Sequence, residues 1–481
     1  MGEELDKERF TEQEFAVFGE RLVEQLAAFR ELLDRPGFGQ GDTTIGGELE
    51  LFLIDKMGDP LPRNEELLEA IGDPRLTLEL GRFNLEGNLT PVPLAGSPFR
   101  AMGDELQEIT ALVDRAAGEL DVDGDDGGGG GGAIPIGILP TLGTGDFTPH
   151  AMSDEARYRA LSRGVRRVRL EPFVVRVDDL ELVVEDVLLE AANTSWQIHL
   201  RTPPERFAPL FNAAQLAIGP VLAAAGNSPL FLGRRLWEET RIVLMEEAAD
   251  DRDVGRLYRR DGRVTFGSDW VREGAYELFE RCVQDYEPVL PALTDAPDPL
   301  ETVRQGGIPD LAELRLQMGT VWMWNRPVYD PADGGHLRIE MRALPAGPTC
   351  ADMTANAAFL LGLTLSESHR DLTGYKFGEV YQNFYRAARQ GLSAKLSWPG
   401  HEGELDASEL ILSLLPQARA GLLEAGVVPD EADTALEIIA QRVRTGRTGA
   451  AWQREFPGDA RALVTAYRKL ALSGVPVHLW R

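Results

Sequence analysis

Cysteine is nearly absent. Cys282 and Cys350 are the only two in this 481-residue chain. Two isolated thiols supply neither a disulfide framework nor a cysteine metal site. Lysine is also scarce, confined to Lys7, Lys56, Lys376, Lys395 and Lys469, so arginine carries nearly all the positive charge. Acidic residues outnumber both, and the formal net charge is −29. That balance keeps a chain soluble and argues against a nucleic-acid surface, which would need a basic patch. The arginine bias reads as GC-rich coding, and acidity alone does not establish salt adaptation. No apolar run reaches about 18 residues, so no membrane span is predicted. The first ten residues are acidic and polar, with no apolar signal core. The one glycine-rich stretch, Asp121 to Gly132, is not followed by Gly-Lys-Ser/Thr, so it is no phosphate loop. It reads instead as a flexible solvated loop. A soluble, cytoplasmic protein is expected, with neither nucleic acid nor membrane as partner. Oligomeric state stays open, a homo-oligomer included.

The length allows a large core and more than one domain. Residues from about 8 to 35 read as a helix with Phe15, Phe18, Leu22, Leu26 and Phe29 on one face, stopped by Pro36 and Gly37. Strands are predicted around 44–54 and 76–90, with a short helix at 64–71 between them. Ser97-Pro98 opens a helix to about 119. An apolar strand follows at 133–139, and Ser153 with Asp154 and Glu155 looks like a helix start. The 193–201 strand leads into a helix near 205–225. Residues from about 311 to 343 return to strand. From about 351 the pattern is mostly helical, broken at Pro399-Gly400 and between Gly426 and Pro429.

Four of these strands share one pattern. Leu49, Leu51 and Leu53 alternate with Glu48 and Glu50. Phe83, Leu85 and Leu89 alternate with Arg82, Asn84, Glu86 and Asn88. Trp196, Ile198 and Leu200 alternate with Ser195, Gln197, His199 and Arg201. Leu337, Ile339 and Met341 alternate with Arg338, Glu340 and Arg342. Strand side chains alternate faces, so each strand has one apolar and one chemical face. Paired in one sheet, the polar faces would make a floor of Glu, His and Arg. Glu48 and Glu50 would lie roughly 7 Å apart. At that distance two carboxylates repel by about 2 kcal/mol at an effective dielectric near 20. Such a pair needs a cation or a raised pKa. Glu79, Glu86 and Glu340 add carboxylates and His199 an imidazole, a set suited to a hard divalent cation shared with phosphate. Arg338 and Arg342 flank Glu340, and guanidinium there suits nucleotide phosphates. Each element has a plainer reading. Glu-x-Glu is usually a solvent-facing row, a lone histidine is usually hydrogen-bonded core or surface, and Arg-x-Glu-x-Arg is usually a salt-bridge row. His336 reads as structural, and Trp322 and Trp324 as core rather than an adenine platform. The joint occurrence of the four strands carries the case for a site.

At these residues the chain resembles the glutamate–cysteine ligase family, in its type-two branch with the related carboxylate–amine ligases. The family's Gly-x-Glu-x-Glu-Phe strand is similar to GGELELF at Gly46 to Phe52. Its paired acids seven positions apart before Thr-Pro resemble Glu79, Glu86 and Thr90-Pro91. Its histidine strand resembles SWQIHLR, with His199. Its Asn-Ser-Pro and Gly-Arg segments resemble NSPLFLGR, ending at Arg234, with Arg241 beyond. Its Arg-Pro and Glu-x-Arg resemble Arg326-Pro327, Glu340 and Arg342. The resemblance covers roughly 45–350, with the motifs in order. It implies an α+β, glutamine-synthetase-like fold: an antiparallel sheet funnel backed by helices. The implied organisation is an N-terminal helix (1–40), a catalytic domain (41–350) and a mostly helical C-terminal part (351–481) packed on it. The implied metal ligands are Glu48, Glu50, Glu79, Glu86, His199 and Glu340, for Mg²⁺ or Mn²⁺. Arg342, Arg241 and Arg326 take phosphate-directed catalytic roles, and Arg234, Arg338 and Gln197 are candidates for binding ATP. The implied reaction joins an amino-acid carboxylate to an amine through an acyl phosphate, glutamate to cysteine first among the choices. A different amine, or a silent nucleotide- or amino-acid-binding protein, remain as alternatives. The chain departs from relatives in its added helical parts and in RALPAGPT after the last motif, where relatives often carry an acid.

Overall fold

The computed structural model describes residues 7–120, 130–169, 171–252 and 260–481. The four patterned strands do pair in one sheet. Its order is Asn325–Asp330, His336–Met341, Trp196–Thr202, Thr44–Ile54, Asn84–Asn88 and Leu76–Leu78, each pair antiparallel. Val92–Pro93 and Gly132–Ile134 add to the two ends of the long central strand Thr44–Ile54. This curled antiparallel sheet, backed by helices, is the expected fold class.

Alternation decides which face is buried. Ile45, Leu49, Leu51 and Leu53 share one parity with Trp196, Ile198, Leu200, Leu337, Ile339 and Met341 through the register, and all are buried. Three long helices cover that face. Pro204–Ala225 packs on the strands at 196–202 and 336–341, Pro98–Leu120 packs on the central strand, and Cys350–Glu367 lies against both helices. Trp196 crosses from sheet to helix, its indole N–H donating to the Met353 carbonyl at 3.1 Å. Its ring also lies across Gly47. A Cβ there would sit 2.4 Å from the ring and 2.9 Å from the Gln197 carbonyl, so only glycine fits. Pro204–Ala225 is long and apolar enough to cross a membrane, but it is a core helix with 89% of its apolar window buried. Its Asn212 and Gln215 donate to the carbonyls of Val271 and Phe266.

The first helix is Glu12–Leu33, starting later than expected because Thr11 and Glu14 form a capping box. It packs on the short helices Ala275–Asp285, Pro299–Arg304 and Ala312–Met318. Past Thr349, which caps Cys350–Glu367, come Phe377–Gln390, Ala407–Glu424, Pro429–Thr445, Gly449–Glu455 and Ala460–Leu472. Arg442 ties this region inward with bonds to Asp352 (2.8 Å), Asn356 (2.6 Å) and the Ala224 carbonyl (3.1 Å). One hydrophobic cluster runs from Phe18 to Trp480 without a break at residue 350.

Several expectations need correction. The segment from 311 does not return directly to strand, because Ala312–Met318 is helical first. The 76–90 segment is two strands, Leu76–Leu78 and Asn84–Asn88, folded against each other. The bend between them is tight at Gly81, where a Cβ would meet Asn84 Oδ1 at 2.5 Å and Ala191 at 2.7 Å. The 133–139 strand shrinks to Gly132–Ile134. Ser153 does not cap a helix; it is buried, donates to the Glu79 carbonyl and accepts from Asn64 Nδ2. Most of the glycine-rich stretch, 121–129, lies outside the described residues.

Candidate active site

The polar parity of the sheet faces a cavity of about 670 Å³. Its lining includes Glu48, Glu50, Glu79, Glu86, Gln197, His199, Arg326, Arg338, Glu340 and Arg342. Register explains the gathering. Glu340 stands opposite His199 on one side and Arg326 on the other, Glu50 stands opposite Glu86, and Glu48 lies between Asn88 and Gln197. Glu79 comes from the Gly81 bend rather than from a strand.

The acids divide into two groups. Glu48, His199 and Glu340 form one, and Glu50, Glu79 and Glu86 the other. Within each group one ligand atom per residue lies within 4.8 Å of the others. His199 Nε2 is buried and lies 3.2 Å from Glu48 Oε1, an ion pair when the ring is protonated. A ring nitrogen set among carboxylates fits, in its neutral form, a ligand for a divalent cation. Three carboxylates in mutual reach fit a second cation, which would offset their repulsion. Glu340 is the one of the six that holds two guanidinium groups. Its Oε2 accepts Arg326 Nε (3.0 Å) and Nη2 (2.6 Å), and its Oε1 accepts Arg342 Nη1. Arg326 takes both lone-pair directions of Oε2, and Oε1 keeps a second direction for a cation.

The protonation states follow from these neighbours. Burial pushes the Glu50 carboxyl up to about 7, and the Glu86 charge adds to it. It nonetheless accepts bonds from Ser195 N (2.7 Å), Ser195 Oγ (2.9 Å) and Gln197 Nε2 (2.9 Å). Glu79 is raised well above the usual carboxylate range by burial, then by Glu86, Glu50 and Glu190. The other group behaves oppositely. Burial would raise Glu340, but Arg326 and Arg342 prevail and hold it at about 2. Burial also opposes Glu48, and the facing His199 with Arg342 keeps it well below the usual range.

The remaining sequence candidates separate. Gln197 serves Glu50 directly. Arg338 lines the cavity and bonds Asp330 at 2.8 Å. Arg241 is off the floor. It is buried with Nε on Glu239 (2.7 Å) and Nη2 on the Ala343 carbonyl (2.7 Å), and it lines a smaller chamber of about 50 Å³. Glu239 in turn accepts from Ser228 Oγ (2.6 Å) and Asn227 N (2.9 Å), so the Asn-Ser-Pro segment anchors this arginine. Arg234 is not brought to either cavity; it lies exposed on a two-residue strand and pairs with Asp179. His336 is buried at the start of its strand, with Nε2 3.3 Å from Arg338. Trp322 and Trp324 are buried yet line the small chamber, and the Trp324 indole donates to Glu246 at 3.0 Å.

Sequence reasoning missed Glu190, Arg157 and Tyr158, which also line the large cavity. Glu190 is raised to about 7 by burial and by Glu50. The only signal near it is Asp186, whose side chain starts the short helical turn that carries it.

Comparisons with known proteins bear on the family and the fold. The family model "glutamate-cysteine ligase family 2" matches residues 44–466. No curated protein sequence matches. Among solved structures, the chain is similar to a glutamate–cysteine ligase from Francisella tularensis in complex with AMP. The TM-score is 0.57 at 13% identity, covering 92% of this chain and 90% of that one. A bifunctional glutathione synthetase from Pasteurella multocida aligns at TM-score 0.46 and 12% identity, covering 95% of this chain and 55% of that one.

Proposed function

From a chain that belongs to glutamate-cysteine ligase family 2, and so is an ATP-dependent carboxylate–amine ligase, we infer a specific reaction. The γ-carboxylate of glutamate is joined to the amino group of cysteine, giving γ-glutamylcysteine, in the cytoplasm. The observation that carries this reading is the pairing of two carboxylate groups with Arg326 and Arg342 on one sheet face. That pairing suits phosphoryl transfer, where the protein mostly positions reactants and neutralises charge.

Glu48, His199 and Glu340 would hold one Mg²⁺ or Mn²⁺, and Glu50, Glu79 and Glu86 a second. Bound there, the cations would neutralise the charge of nucleotide phosphates. AMP in the Francisella enzyme supports nucleotide use on this fold. The chain's own residues divide the remaining work. Ser195 and Gln197 fix the Glu50 carboxylate through three hydrogen bonds. Arg342, lining both cavities, faces the charge that builds on the γ-phosphoryl group. Arg241, ion-paired with Glu239, lines the small chamber, where the acid substrate would lie. The glutamate carboxylate attacks the γ-phosphorus, ADP leaves, and the amine then displaces phosphate from the acyl phosphate.

The test is ADP release with a panel of amino acids and amines, with and without Mg²⁺. The reading requires release that depends on glutamate, on cation and on cysteine together. Release with glutamate and another amine would move the reading to that amine. Nucleotide binding with no turnover on any pair would mark a silent binder.

A further inference from the structure

The two cavities meet at one wall, which is shared by Glu50, Glu79, Leu80, Glu190, Trp322 and Arg342. Three of these already have work. Glu50 and Glu79 belong to a cation group, and Arg342 bonds Glu340. Glu190 belongs to neither cation group.

Its placement is rigid. It sits in the short helical turn Val187–Ala192, where Asp186 accepts from Leu188 N at 2.9 Å and Val187, Leu188 and Leu189 are fully buried. Ala191 beside it is wedged against Gly81, which leaves no room for a Cβ. The same turn therefore sets Glu190 against the bend that carries Glu79. The charges acting on Glu190 are Glu50, Arg342 and Arg157. No described residue donates a hydrogen bond to its carboxylate. A carboxylate on a cavity wall with no protein donor is open to one from a ligand.

An amine substrate supplies such a donor. Near neutral pH it arrives as an ammonium ion, and its lone pair must be freed before it can attack. We propose that Glu190 binds the ammonium group of the incoming amine at the junction of the two cavities and accepts its proton. This rests on the ligase reading above. The ammonium passes one proton to the Glu190 carboxylate and becomes a free amine. Its nitrogen lone pair forms the bond to the acyl carbon, and the carbon–oxygen bond to phosphate breaks with its electrons. The second proton on nitrogen leaves with phosphate as hydrogen phosphate, and the protonated Glu190 returns its proton to solvent.

Hydroxylamine separates this role from a structural one, because it is uncharged near neutral pH and can take the acyl group without a proton acceptor. Wild type, Glu190→Gln and Glu190→Asp are compared with ATP, Mg²⁺ and L-glutamate, using either L-cysteine or hydroxylamine. Glu190→Gln should lose about 100-fold in kcat/KM with cysteine while hydroxamate formation stays within about threefold. Glu190→Asp should recover part of the cysteine reaction. Hydroxamate formation also shows that the variants are folded. Equal loss of both reactions in Glu190→Gln, or retention of both, overturns the proposal. Failure of wild type to form either product removes the ligase reading and this proposal with it.

Discussion

Removing one charge from the Glu50, Glu79 and Glu86 group should make the cation-free protein more stable. Glu50 titrates near 7 in the fold against an ordinary 4.5. Between those pH values the folded carboxyl keeps a proton that the unfolded one has lost, so stability falls as pH rises through that window. The full penalty, reached above pH 7, is about 3 kcal/mol. Glu50→Gln escapes it. The variant also turns an amide N–H₂ toward groups that now donate to Glu50, namely Ser195 N, Ser195 Oγ and Gln197 Nε2. Losing one such bond costs about 1 kcal/mol. The net expectation above pH 7, in chelator, is a variant more stable than wild type by about 2 kcal/mol. The advantage should shrink steadily toward pH 4.5. Saturating Mg²⁺ should reverse the order, because only the carboxylate binds the cation. Urea unfolding of both proteins across this pH range, with chelator and with Mg²⁺, measures each part. A stability difference independent of pH, or a variant less stable than wild type above pH 7 in chelator, would refute the reasoning.

Other outcomes follow from the same geometry. Turnover should require Mg²⁺ or Mn²⁺ and vanish with chelator, and Glu86→Gln should cost at least about two decades in rate, roughly 2.7 kcal/mol of barrier; steady-state ADP release checks both. Arg342→Lys should lower kcat more than it weakens ATP binding, since lysine offers a point charge in place of a fork. A lower unfolding midpoint with unchanged turnover would instead mark Arg342 as a sheet salt bridge to Glu340. Gly47→Ala should destabilise by about 1–3 kcal/mol through collision with the Trp196 ring, read from the unfolding midpoint.

The strands of the floor were legible because alternation survives without knowledge of partners. Parity alone put Glu48, Glu50, His199 and Glu340 on one face. It could not show how the acids divide, because that depends on which strands are neighbours and in what register. The central strand sends Glu48 toward His199 and Glu50 toward Glu86 only once the sheet order is known. Glu79 counts among the floor's carboxylates, but its position comes from a bend, not a strand, whose tightness needs Gly81. Ala312–Met318 was misread because Leu314, Leu316 and Met318 alternate as in a strand. The helix is covered all round, burying Glu313 and Gln317 as well, so alternation carries no information there. Arg234 looked like a ligand-binding arginine by motif, and only its exposed pairing with Asp179 separates it from the cavities. Glu190 sits in a turn too short to show any period.

The central strand has a further consequence for how this protein can change over time. Glu48 and Glu50 fall in the two different acidic groups from a single stretch of backbone, so the spacing between the groups, about 7 Å, is written in covalent geometry rather than in side-chain rotamers. Mutation of side chains can weaken either group alone but cannot move one relative to the other. Insertion or deletion of one residue between Gly47 and Glu50 would turn at least one carboxylate into the apolar layer. Drift in this lineage should therefore appear as substitution around the cavity and length variation in the loops, while the length of the 44–54 strand stays fixed.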